Sequence, residues 1–343
     1  MKKFVPIITV FFIALAGAFL FSWLSLPIPW MLGPLFAVLV SQFFVKWELH
    51  WPPLFRNAGL VVVGVAIGQA FDLALFDGLG LLVVLMVGVN VALMLFCVGL
   101  AWGMHRYSGI SFKTALTASV PGGLSQLVLF AEEEADIDLA VVTFFHVVRI
   151  IAVVMLIPFL VSGHVVTGGE VAVDGTIWQL ALLVAAAACS VWVGKRIRLP
   201  VAHFLTPILF VMLLHIVGVQ TPVIPTSLLH EAQLLIGAYI GLLLKPPMLR
   251  LPMRVLVAGV ASSFAMIVMA YLSSVVIAHF LELSFATSFL STAPGGLDQM
   301  GLLATAVGAD ISVVTVFQLF RLLFIFLVVL PVLKYVCKKL LST

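Results

Sequence analysis

Long apolar blocks dominate the chain and follow one another with short connections. In the first part they run over residues 4–24, 27–45, 55–71, 78–103, 110–134 and 138–161, and a second series repeats them from about 177 to 333. Blocks of about 18 to 25 residues match a helix crossing roughly 30 Å of hydrocarbon. The pattern predicts an all-α polytopic membrane protein of two repeats, each with about six apolar segments. Composition agrees: 64% of residues are hydrophobic and 9% charged, against roughly 45–50% and 25% in soluble domains. All seven tryptophans (Trp23, Trp30, Trp47, Trp51, Trp102, Trp178 and Trp192) lie near segment ends, which predicts interfacial belts.

The two series are copies. Pro121-Gly122-Gly123-Leu124-Ser125-Gln126 recurs as Pro294-Gly295-Gly296-Leu297-Asp298-Gln299, an offset of 173 residues (294 − 121). The same offset carries Leu26-Pro27 and Pro34 onto Leu199-Pro200 and Pro207, and Gly64 and Gly68 onto Gly237 and Gly241. Downstream the offset is 172, and Asp138, Val141, Thr143, Phe145 and Arg149 match Asp310, Val313, Thr315, Phe317 and Arg321. The division expected is a first membrane repeat over 1–161, a linker over 162–175 and a second membrane repeat over 176–343. The first segment contains a signal-like Ala14-Leu15-Ala16, but its apolar run continues to Leu24 and has a partner in the second copy. It is expected to remain as a helix.

Charge reverses between the copies. Asp72 and Asp77 match Lys245 and Arg250, and the connection holding the uncharged turn Ser25-Leu26-Pro27 corresponds to the one carrying Lys195-Arg196-Ile197-Arg198. Positive residues favour the cytoplasmic side, so matched loops of opposite bias predict two repeats of inverted topology, each crossing an odd number of times. Both termini, which carry lysines, are then cytoplasmic, in the inner (plasma) membrane of a bacterial cell. One of six segments must fail to cross. The fifth is the candidate, because Pro-Gly-Gly divides it into arms of about ten residues, each about 15 Å long as helix. It reads either as a broken helix or as a re-entrant hairpin.

Broken backbone at membrane depth needs protein or water to satisfy it, which makes each break a candidate binding site. The substrate- or ion-binding candidates are Pro121, Gly122, Gly123, Ser125 and Gln126 in the first copy, and Pro294, Gly295, Gly296, Asp298 and Gln299 in the second. Arg149 and Arg321 lie eleven residues into the last segment of each copy, near mid-membrane, where an ionised side chain is costly and faces a cavity or a partner. His146 precedes Arg149 by three positions and shares its face, as Gln318 does with Arg321. For the arginines a structural clamp and a substrate site weigh equally; for His146 hydrogen-bonded packing is the expectation. Asp298 is the expected proton or cation site. Asn90 and Ser263 are expected to bond across helices, and the Gly64/Gly68 and Gly237/Gly241 pairs to form close-packed faces.

Other classes fare poorly. A net charge of +3 without a basic cluster argues against direct nucleic-acid contact. Cys97, Cys189 and Cys337 are far apart, and the eight histidines show no short ligand spacing, so neither a metal site nor a cofactor is expected.

At Pro294-Gly295-Gly296, Ala309-Asp310-Ile311 and Arg321, with Pro121-Gly122-Gly123, Asp138 and Arg149, the chain resembles the bacterial membrane AbrB family. The resemblance implies a duplicated membrane protein whose relatives are labelled regulators of gene expression or ammonia monooxygenases. The first copy departs from the family pattern: its Ala135-Asp136-Ile137 lies two residues out of register with Arg149. A secondary transporter of a small polar or anionic solute, coupled to a proton or cation, accounts best for the duplication, breaks and arginines. A membrane-embedded regulator acting indirectly is the alternative, and an enzyme is not expected. Partners are the lipid bilayer, the solute and its coupling ion, with a homo-oligomer open.

Overall fold

The computed structural model describes residues 4–45, 47–71, 79–122, 127, 130–132, 134, 136–161, 176–197, 199 and 201–339. The linker 162–175, Asp72, Asp77 and the candidates Gly123, Ser125 and Gln126 lie outside them. The described regular elements are helices: α1 (Phe4–Trp23), α2 (Pro29–Ser41), α3 (Pro53–Ala70), α4 (Leu79–Ser108), α5 (Phe112–Ser119), α6 (Leu139–Val161), α7 (Ile177–Arg196), α8 (Ala202–Ile216), α9 (Thr226–Gly241), α10 (Met253–Leu281), α11 (Phe285–Thr292), α12 (Leu297–Val307), α13 (Ile311–Phe324) and α14 (Leu330–Lys339). A 3-10 turn over Pro246–Arg250 precedes α10, and a π turn over Ile325–Val329 joins α13 to α14. Among the described residues, eight helical stretches are long and apolar enough to cross a membrane. α2 and α8, at 13 and 15 residues, reach only about 20 Å.

Two compact units form, and neither is a sequence copy. One comprises Met1–Leu73, Val161–Leu243 and Gly301–Ser312; the other comprises Ala74–Leu160, Leu244–Met300 and Val313–Thr343. The first therefore gathers segments one to three of both copies together with Gly301–Ser312 of the second copy, and the second gathers the rest of segments four to six.

In the first unit the copies exchange partners. A Cβ added to Gly64 of α3 would lie 2.7 Å from the Phe204 carbonyl oxygen of α8, and one on Gly68 would lie 2.8 Å from that of Ile208. At the matched positions, a Cβ on Gly237 of α9 would collide with the Met31 carbonyl of α2, and one on Gly241 would lie 2.6 Å from that of Leu35. Phe204 and Ile208 are themselves the 173-offset matches of Met31 and Leu35. Each copy's third helix thus packs its glycine face on the other copy's second helix, as the spacing predicted, and a side chain there would hold the backbones apart. Backbone detail repeats too: Ile28 and Val201, the residues preceding α2 and α8, both take the left-handed conformation at φ 47°, which disfavours β-branched side chains.

The second unit packs around Phe144, Phe145, Leu127, Phe130 and Val142, with Val255 and Ala258 of α10 and Ile325 of the π turn. Its short helices start alike. Ser111 and Ser284 cap α5 and α11 by accepting from the amides of Thr114 and Thr287, the arrangement that satisfies an otherwise orphaned N–H. Both helices then stop where the sequence requires. Val120 and Ala293 take extended conformations (ψ 126° and 133°), because a residue before proline is driven from helical space.

Three expectations need correction. Trp51 is buried, donating from Nε1 to the Leu235 carbonyl at 3.1 Å, so it does not join a lipid-facing belt. Asn90 donates to Met86 O at 2.8 Å and Ser263 to Gly259 O at 2.9 Å. Each therefore bonds within its own helix, four residues back, instead of across to another.

Candidate functional site

The second unit holds the buried polar side chains at both helix breaks. In the second copy Arg321 sits on α13, four residues before the π turn, and its guanidinium reaches the end of α11. Nη1 donates to the carbonyls of Thr292 (3.2 Å) and Ala293 (2.6 Å), and Nη2 donates to Gly295 O at 2.8 Å and to Gln318 Oε1. Gln318 turns its Nε2 onto the same strand of backbone, at Leu290 O (2.6 Å), Ser291 O (3.4 Å) and Ala293 O (3.2 Å). Arginine and glutamine thus satisfy the carbonyls that α11 leaves open when Pro294 ends it. On the other side of the break Gln299 Oε1 accepts the Gly296 amide at 2.6 Å. Asp298 is buried in the first turn of α12, where a carboxylate is favoured by the helix dipole.

The first copy repeats the plan with fewer bonds. Arg149 Nη1 donates to Val120 O at 3.1 Å, the match of Ala293 O, and it makes no other hydrogen bond to the described residues. Its Nε, buried with the rest of the side chain, has no partner. His146 replaces glutamine; Nδ1 contacts the Val142 carbonyl of its own helix at 2.8 Å and Nε2 has no hydrogen-bond partner, although the ring lies beside the Val120 carbonyl. His146 is only partly the satisfied packing residue expected. Behind both sites an identical strut recurs: Ser119 Oγ donates to Cys97 O at 3.1 Å, and Thr292 Oγ1 donates to Ala270 O at 2.9 Å, each pair lying 173 residues from the other.

The two arginines share one neighbourhood. Arg149, Arg321 and the buried Cys97 thiol of α4 act on one another electrostatically. A Cβ on Gly122, at the first break, would lie 3.3 Å from the Ile325 side chain of the π turn that follows Arg321. Among the described residues neither arginine forms a salt bridge. The buried Lys113 of α5 pairs with the exposed Asp136 at 2.8 Å, and Asp138 caps α6, accepting from the amides of Ala140 (2.9 Å) and Val141 (3.2 Å).

Of the sequence candidates, Pro121, Gly122, Pro294, Gly295, Gly296, Asp298 and Gln299 lie at the breaks themselves, and the structure brings His146, Arg149, Gln318 and Arg321 of the last segments beside the break carbonyls. Sequence reasoning did not single out Cys97, whose buried thiol donates to Ser119 O at 3.4 Å, or the hydroxyls of Ser288 and Thr315, which are buried without partners. Thr315 had a usable signal: it precedes Gln318 by three positions and so shares its helix face.

Residues 30–337 match the family described as "Transition state regulatory protein AbrB". The Bacillus subtilis (strain 168) protein "Uncharacterized protein YhjN" is 26% identical, across 93% of this chain and 90% of its own length. The Escherichia coli (strain K12) protein "Putative regulator AbrB" is 26% identical, across 88% of each chain. The chain belongs to the AbrB family.

Proposed function

We propose that this protein is a secondary transporter of a small polar or anionic solute, working by alternating access across the inner membrane. The observation that carries this reading is a pair of buried guanidinium groups, neither in a salt bridge among the described residues, held at the carbonyls of two interrupted helices. A buried cation without a counter-ion is costly. Interrupted helices facing each other through duplication are how transporters build midplane sites. In this reading the two copies are inverted, the fifth segments are re-entrant, both termini are cytoplasmic and the protein performs no chemistry on its solute.

Transport is tested in proteoliposomes by uptake of a panel of radiolabelled organic anions, with Arg149→Gln and Arg321→Gln beside the unaltered protein. Uptake lost in the variants supports the reading; uptake retained by both overturns the site. Inversion is tested by single cysteines at Ser25 and Lys195, which should label from opposite faces of the membrane. Labelling from one face refutes it.

The name of the Escherichia coli relative favours a second reading, a membrane-embedded regulator that alters transcription indirectly through the solute it moves. If so, transcript changes caused by deleting the gene should follow transport activity across the arginine variants. Transcript changes rescued by a transport-dead variant would make regulation the primary role.

A further inference from the structure

The first-copy site is an unfinished version of the second, and what is missing defines a ligand. Arg321 fills its place with three backbone carbonyls and the Gln318 amide oxygen. Arg149 has one carbonyl, at 3.1 Å, and a buried Nε–H that points at no acceptor. Histidine stands where glutamine stands in the second copy. A carbonyl oxygen can only accept, so the 2.8 Å contact to Val142 O makes Nδ1 the protonated nitrogen; in the neutral ring Nε2 then carries the lone pair, with no donor before it and with the Val120 carbonyl, an acceptor, beside the ring. His146 is fully buried and Arg149 is 4% exposed, so bulk solvent does not reach either group in this conformation. One helix face thus offers an N–H donor with a full positive charge and, one turn away, an imidazole lone pair.

We propose that His146 and Arg149 together bind a small weak acid, taking up its anion and its proton separately. The acid's O–H bond breaks, an Nε2–H bond forms on His146, and the carboxylate left behind accepts from Arg149 Nε. The imidazolium, the carboxylate and the guanidinium then sum to one positive charge, the same as before the acid arrived, so occupancy adds no net charge to a buried site. Other groups acting on this site are the Arg321 guanidinium on α13 and the Cys97 thiol on α4, and neither supplies a negative charge to compete for Arg149 while the thiol is protonated. Val120 and Val142, whose carbonyls meet Arg149 and His146, are apolar and buried, which suits a carboxylate bearing a short hydrocarbon group over a hydroxylated or multiply charged one. Arg321 with Gln318 is the structural counterpart, already closed by its own backbone. The proton site of this proposal is His146, where packing alone had been expected. This inference rests on the transport reading only for the use made of the bound acid.

The test is titration calorimetry of the full chain in lipid nanodiscs with sodium propionate near neutral pH, in two buffers of different ionisation enthalpy, which counts protons taken up on binding. The unaltered protein should bind propionate with uptake of about one proton. His146→Gln installs the residue found at the matched position 318, so it should fold, and it should bind propionate without proton uptake or not at all. Arg149→Gln should bind at least about tenfold more weakly. Absence of propionate binding by the unaltered protein, binding without proton uptake, unchanged uptake in His146→Gln or unchanged affinity in Arg149→Gln would each overturn the proposal. Propionate uptake into proteoliposomes separates the two readings: binding without transport refutes transport alone, and transport of other solutes without carboxylate binding refutes this site alone.

Discussion

Replacing each arginine by methionine, which keeps length and removes charge, asks whether the two copies do the same job. Both substitutions delete one buried guanidinium, so the relief from its desolvation is common to both and cancels in the comparison. What differs is what is left behind. Arg321→Met strands the carbonyls of Thr292 and Gly295 and the Oε1 of Gln318, while Ala293 O keeps its 3.2 Å bond from Gln318 Nε2. Arg149→Met strands the carbonyl of Val120 alone. At about 1–3 kcal/mol for each orphaned buried acceptor, the two extra acceptors make Arg321→Met more destabilising by about 2–6 kcal/mol. At the roughly 0.6 kcal/mol typical of polar contacts within membrane proteins, the difference is still about 1 kcal/mol. Arg149→Met should leave stability nearly unchanged or raise it, because a charge short of partners has been removed. The assay is thermal denaturation of the full chain in detergent, followed by the monodisperse fraction on size exclusion. If Arg149→Met lowers the midpoint as much as Arg321→Met, both arginines are clamps and the asymmetry between the copies carries no functional weight.

Two further substitutions probe the frame that holds the site. Gly64→Ala should cost about 1–3 kcal/mol, since its Cβ would sit 2.7 Å from the Phe204 carbonyl oxygen, whereas Gly88→Ala on α4, with nothing within 4 Å of its Cβ, should be neutral or gain up to about 1 kcal/mol; equal midpoints in the same thermal assay would refute the close helix contact. Val201→Gly should be neutral or stabilising by up to about 1 kcal/mol, because Val201 is held at φ 47°, while Val260→Gly, at an exposed position inside α10, should lose about 0.5 kcal/mol; a loss at Val201 larger than that at Val260 would argue against strain there.

How far the site could be read from the chain depends on which physical signal each feature leaves. Helix positions were legible to within a few residues for most segments, because lipid forces an apolar run to be helical over its whole length. The breaks were legible because proline followed by two glycines combines a lost N–H with two poor helix formers; Val120 and Ala293 are extended there, whereas the lone prolines Pro34, Pro158 and Pro207 stay inside their helices. The grouping of segments was not legible. A constant offset identifies which elements correspond, and correspondence is silent about which of them touch: Gly64 meets Phe204, the match of Met31 in the other copy, and nothing in either local sequence states that exchange. Trp51 misled because a segment-end position suggests an interfacial anchor, while its ring instead finds a carbonyl at Leu235.

The asymmetry between the copies lies between these cases. His146 opposite Gln318 was visible as a substitution within a repeat, but its meaning required the hydrogen bonds. Glutamine carries both a donor and an acceptor on one flexible arm, so Gln318 can hold the α11 backbone through Nε2 and Arg321 through Oε1 at once. Neutral histidine, with Nδ1 committed to Val142, has no second donor to give. The exchange of one side chain therefore converts a closed clamp into an open acceptor beside an under-bonded guanidinium. A duplicated fold whose two breaks once served alike can divide the work in this way, one copy retaining the rigid junction and the other gaining a place for a proton and an anion. Reverting that single difference is informative in both directions. His146→Gln should add donors to the first break and stabilise it while abolishing proton uptake, and a variant that becomes less stable and keeps its proton uptake would show that the histidine serves packing after all.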